Sequence, residues 1–182
     1  MSRIHPIVWV FIATIILIGA GVWFFTRSDF GQKTDESKPE PVSKAVEGTV
    51  DYPIVGREHV PEGTTVTTYN SNPPSSGPHW PAPTKNGIYD SSLSDEQLVH
   101  NLEHGYIWIS YKSDVGDDVK NELKKIVGDD TWKIVLEPRD KDETMIALAA
   151  WGRVLKLDTP DYNKIKAFIR TYRNRGPEKT PD

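Results

Sequence analysis

The stretch SLSDEQLVHNLEHGYIWISY (residues 92–111) holds a helix start, a helix stop and a strand in twenty residues. Ser94 stands where an N-cap belongs, and Gln97 three positions on completes a capping-box pattern. Asp95 and Glu96 suit the positive end of the helix dipole, and Gly105 supplies a left-handed stop. The punctuation predicts a helix of roughly three turns. YIWISY (residues 106–111) then reads as a strand.

Both flanks continue this mixture. Downstream, DVGDDVKNELKKIVG places Val115, Val119, Leu123, Ile126 and Val127 at helical spacing, an amphipathic helix. WKIVLEP is a strand ended by Pro138, and TMIALAAW (residues 144–151), apolar on both faces, belongs centrally in a sheet. Tyr162, Ile165, Phe168, Ile169 and Tyr172 form one stripe, a closing amphipathic helix. Upstream, the β-branched GTTVTTY (residues 63–69) reads as a short strand. It leads into NSNPPSSGPHWPAP (residues 70–83), whose five prolines exclude helix and regular strand and make a stiff loop around His79. The expected fold is α+β: one compact domain with a mainly antiparallel sheet and two amphipathic helices besides the short one.

The N-terminal part differs in kind. After a tail at residues 1–6, residues 7–26 are twenty residues without a charge. At about 1.5 Å per residue they span one hydrocarbon core, roughly 30 Å. Trp9 lies near one end, and Trp23, Phe24 and Phe25 near the other, as interfacial aromatics do. The run ends in bulky aromatics rather than a small-residue cleavage site, so a retained transmembrane helix is expected. Arg3 precedes it while Arg27, Lys33, Lys38 and Lys44 follow, so basic residues leave the orientation open. Residues 27–48 are polar and proline-containing, a flexible tether, and residues 49–182 make the folded domain.

Composition narrows the partners. The chain has 22 basic and 26 acidic side chains, a net charge of -4, which argues against nucleic acid. With no cysteine there is no disulfide framework, thiolate metal site or cysteine nucleophile.

Beyond the tail there are four histidines: His59, His79, His100 and His104. His100 and His104, four apart on a helix, leave the same face and can reach one metal ion. His59 and His79 lie in flanking loops, from which side chains converge easily. Residues 100–104 also spell H-x-x-E-H, in which two histidines bind zinc and Glu103 acts as base. Here Gly105 stops the helix at once and a strand follows, the wrong context for that protease motif. Glu103 serves equally as an outer partner that holds a histidine's second nitrogen.

Four strings carry a resemblance: HVPEGTTVTTYNSNPPSSGPHWP, NGIYDSSLSDEQLVHNLEHGYIWISY, ETMIALAAWGRVLKLD and FIRTYRNRGPE. Over residues 52–178 the chain resembles the bacterial domain of unknown function 3105. The P-P-x-S-G-P-H and H-N-L-E-H-G motifs are the most specific part of the likeness. The resemblance implies a domain on a single transmembrane helix, facing outside the cytoplasm. It places the histidine-bearing motifs on His59, His79, His100 and His104, and matches Met145 to a methionine before the A-W-G-R string. A thioether there would favour copper, above all copper(I), over zinc. No activity comes with the likeness.

Three expectations follow. The first is a membrane-anchored extracytoplasmic domain binding a transition metal, copper before zinc, through His59, His79, His100, His104 and Met145, as carrier or sensor rather than enzyme. The second is a zinc hydrolase with Glu103 as base. The third is a module without metal that recognises a cell-envelope protein, its histidines bonded to carbonyls, Asn101 and Glu103.

Overall fold

The computed structural model describes residues 44–181. The expected transmembrane run at residues 7–26, the preceding tail and most of the tether lie outside the described residues. Among the described residues no helix is long and apolar enough to cross a membrane.

Six strands of the described residues form one sheet: β1 (Thr49–Asp51), β2 (Gly87–Ile88), β3 (Ile107–Tyr111), β4 (Ile134–Pro138), β5 (Ile146–Ala150) and β6 (Arg153–Leu157). Their order is β1-β6-β5-β3-β4-β2. Among the described residues three helices accompany them: α1 (Asp95–Glu103), α2 (Asp117–Gly128) and α3 (Tyr162–Tyr172). The fold is α+β as expected, but the sheet is mixed rather than mainly antiparallel. β3 pairs with β4, and β4 with β2, in parallel; the β3–β5, β5–β6 and β6–β1 pairs are antiparallel. The reason is the crossover: α2 carries the chain from the end of β3 back to the start of β4.

The apolar segment at residues 144–151 does lie inside the sheet, as β5, flanked by β3 and β6 and buried throughout. Sequence reasoning missed β6, which follows β5 through a two-residue turn, with Ala150 paired to Arg153. Gly152 takes φ +69° there, a left-handed conformation that glycine adopts without the penalty a Cβ would bring. The strand expected at residues 63–69 does not form. The Val66 amide donates instead to Glu96 Oε1 at 2.8 Å, so α1 takes the place of a neighbouring strand.

Alternation along the strands sorts the core onto two faces. Ile107, Ile109, Leu136, Ile146, Leu148 and Leu155 pack with α2 and α3 through Leu123, Val127, Ile165 and Phe168. Trp108, Val135 and Ala149 point the other way, against Leu98, Val99 and Leu102 of α1. Burying each such leucine contributes about 1.5–3 kcal/mol.

The ends of α1 are held by contacts distant in sequence. Ser94 is the N-cap residue, but its hydroxyl makes no capping bond, so the expected capping box does not form. Arg139 fixes that end, gripping both Asp95 oxygens at 2.8 and 3.0 Å while donating to Asn72 Oδ1 at 2.7 Å. The same guanidinium also meets Asp142, tying α1, the proline loop and the β4–β5 turn together. At the other end Gly105 turns the chain with φ +83°. A Cβ there would sit 2.8 Å from the Asn174 Cα, so the close approach of the C-terminal segment demands glycine.

Candidate metal centre

The middle of the proline loop, residues 73–77 and His79, is buried, and the loop meets α1 where Trp80 N donates to Glu96 O at 3.3 Å. Ser75 O accepts from the Gly152 amide at 2.8 Å, Pro78 O accepts from the Tyr69 hydroxyl at 2.8 Å, and Asn72 Nδ2 donates to Lys141 O at 2.8 Å. Gly77, at φ +130°, passes so close to the Tyr69 ring that a Cβ would lie 3.0 Å from it. His79 follows, and its backbone bridges to the segment at His59: Val60 N donates to His79 O (2.8 Å) and His79 N to Glu58 O (3.0 Å). Loop rigidity thus sets two imidazoles beside the helix that carries the others.

Three of them converge. The His59, His79 and His100 rings have centroids 5.0–5.1 Å apart in all three pairs. One ligand atom from each lies within 4.8 Å of the other two. His59 is exposed, whereas His79 and His100 are buried. His104 joins through His100 alone in this geometry: their Nε2 atoms are 3.1 Å apart, but His104 is outside the triad.

Met145 stands apart from the imidazoles. It precedes β5 at the end where its carbonyl accepts from the Lys112 amide, and it packs on the α2–α3 core. His79 is near Trp151, past the other end of β5, with ring centroids 6.5 Å apart. Five residues of strand, about 17 Å, separate the two positions. Asn101 is not a histidine partner either; its amide clamps Thr84, accepting from N at 2.9 Å and donating to O at 2.8 Å.

Hydrogen bonds fix the ring orientations. His100 Nδ1 lies 2.7 Å from Trp80 O, and a carbonyl only accepts, so Nδ1 carries hydrogen and Nε2 is left for a ligand. Burial lowers the His100 pKa, and the neighbouring imidazoles of His104, His79 and His59 lower it further against the Trp80 bond. Neutral imidazole is the form a metal takes. His79 Nδ1 likewise donates to Gly77 O at 2.8 Å, while its Nε2 is 3.0 Å from Glu103 Oε2.

Glu103 is the electrostatic centre of the site, with 2% of its side chain exposed. Burial pushes its carboxyl up, but the bonds to His79 and to Arg57 Nε (2.8 Å) outweigh that and hold it low. Sequence reasoning missed Arg57 and Glu178. Glu178 Oε2 is 3.3 Å from His104 Nε2 and Oε1 is 3.7 Å from Arg57 Nη2. Arg57, Glu58, His59, Glu103 and Glu178 line a cleft of about 330 Å³ that opens onto the cluster. No sequence spacing signals Glu178, because the C-terminal segment reaches it only by docking on Glu103 O and Gly105 O.

The model of a protein family described as a protein of unknown function, DUF3105, matches residues 59–182. No curated protein and no solved structure matches.

Proposed function

The chain belongs to the DUF3105 family, which carries no stated activity, and from the site itself we propose a protein that binds one divalent transition-metal ion through His59, His79 and His100. It acts in this reading as a carrier or sensor, tethered to a membrane with its domain on the outer side. The uncharged run at residues 7–26 supports the tether.

One observation carries the metal reading: imidazoles from three separate segments meet with ligand atoms within 4.8 Å of one another. Such a cluster gains little apolar contact and repels itself whenever two rings are protonated. An ion converts that cost into bonds. Tetrahedral ligands at about 2.0–2.1 Å from zinc are roughly 3.3 Å apart, so modest ring rotations close the set. The carbonyls of Gly77 and Trp80 already orient two rings, as outer partners of metal-bound histidines do.

The donor set bears on the metal class. With Met145 at the far end of β5, the thioether argument for copper(I) falls away. Imidazole nitrogen suits zinc and copper(II), with copper(II) first in the affinity order. The hydrolase reading is weaker, because Glu103 is clamped between Arg57 and His79 and would have to leave both to act as base.

The test is elemental analysis of the full chain purified without a histidine tag, followed by zinc and copper(II) titration of wild type and His59→Ala. His59 is exposed, so its loss spares the fold. Stoichiometric binding that weakens at least tenfold in the variant is expected. No binding by the wild type, or equal binding by both proteins, would overturn the proposal.

A further inference from the structure

His104 Nε2 stands between two acceptors, His100 Nε2 at 3.1 Å and Glu178 Oε2 at 3.3 Å. The Glu178 carboxylate cannot donate, so the hydrogen lies on His104 Nε2. His100 has committed its own hydrogen to the Trp80 carbonyl, so the Nε2 it turns toward His104 is a bare lone pair. That lone pair is the one His100 has to offer an ion. His104 Nδ1 is buried without a partner, which leaves the Nε2 bonds alone to set the ring.

We propose that His104 is a latch rather than a ligand: its N–H occupies the His100 lone pair until an ion arrives, then turns to Glu178 alone. This positioning role rests on the metal reading of His59, His79 and His100. Glu178 is held in place to receive the bond. Its amide donates to Glu103 O at 3.1 Å, and Lys133 Nζ anchors the segment beyond it at Thr180 O, 2.8 Å. Gly176 lets the segment pass, since a Cβ there would come 2.1 Å from Glu103 O. Ion entry therefore breaks one hydrogen bond without orphaning the donor. The latch weakens binding below what the triad alone would give, which suits an ion that must leave again.

The experiment titrates the full chain with cobalt(II), zinc and copper(II), comparing wild type, His104→Phe, Glu178→Ala and the double variant. Phenylalanine keeps the ring volume and removes the N–H. Removing one competing hydrogen bond tightens binding roughly three- to tenfold in His104→Phe, with the cobalt d–d bands unchanged because the ligands are unchanged. Glu178→Ala leaves the latch only His100 to hold, so binding loosens by a similar factor, and this effect vanishes in the double variant. Binding in His104→Phe that is weaker or unchanged, or altered bands, would overturn the latch while leaving the metal site standing. Failure of the wild type to bind any of the three ions would overturn both. Should His104→Phe not fold, Glu178→Ala decides alone, since its side chain is 44% exposed: unchanged or tighter binding overturns the latch.

Discussion

His79 Nε2 lies 3.0 Å from Glu103 Oε2, with the imidazole fully buried and the carboxylate 2% exposed. A proton lies between them, and an ion can use Nε2 only by displacing it. Metal binding should therefore release about one proton, seen as a buffer-dependent heat in calorimetric titration. Glu103→Gln breaks the buried pair and should cost about 3 kcal/mol in urea unfolding at neutral pH. The sign follows from the depressed carboxyl: its contribution is present above the ordinary glutamate range and is lost as pH falls through the folded value. Wild type and variant should thus converge in acid. A gap that persists there would mean the pair is not what holds Glu103.

Met145→Leu should leave the affinity for zinc and copper(II) unchanged and cost under about 1.5 kcal/mol of stability, as volume-conserving swaps do. Met145 packs against the α2–α3 core, five strand residues from Trp151 and the imidazoles. A tenfold loss of copper(I) affinity in a chelator competition would return the thioether to the site.

What the sequence made legible here was local. Helical spacing found α2 and α3, glycine punctuation found the end of α1, and a proline-rich string announced a rigid loop around His79. His100 and His104 were visible as a pair because four residues of helix bring them together. The contacts that complete the site are non-local: Arg57 reaches Glu103 across 46 positions, and Glu178 arrives from the C-terminal segment. Met145 went astray for the same reason. Position before the A-W-G-R string puts Met145 at the start of β5, but it says nothing about which end of that strand the histidines gather at. The parallel β3–β4 pair was likewise hidden, since strand periodicity is blind to the direction of a neighbour.

Glu137 is fully buried on β4, accepting from the Leu93 amide and, at 3.1 Å, from Trp108 Nε1. Burial raises its carboxyl to about 7; Asp95 adds to the rise, while those two bonds and Arg139 oppose it. The folded state therefore keeps a proton that the unfolded chain loses near its ordinary value. Stability should fall as pH rises from about 4.5 to 7, by roughly 3 kcal/mol from this group. Glu137→Gln should flatten that slope in chemical unfolding followed between pH 5 and 8. Parallel curves for the two proteins would refute the burial account.

Gly176 is held in a space that leaves no room for a side chain. A Cβ would lie 2.1 Å from Glu103 O and 2.3 Å from Gly105 N, both backbone atoms that cannot step aside without disturbing α1. Gly176→Ala should therefore push the C-terminal segment off the domain rather than distort the core, at a cost of about 1–3 kcal/mol. The Glu178 amide would lose its bond to Glu103 O, so its hydrogen exchange should accelerate while β3 and β5 amides stay protected. Since the displaced segment takes the Glu178 carboxylate with it, ion binding should shift in the direction of Glu178→Ala. Unchanged exchange at Glu178 would show that the segment accommodates the methyl group, and that the close approach to α1 is not what places the carboxylate.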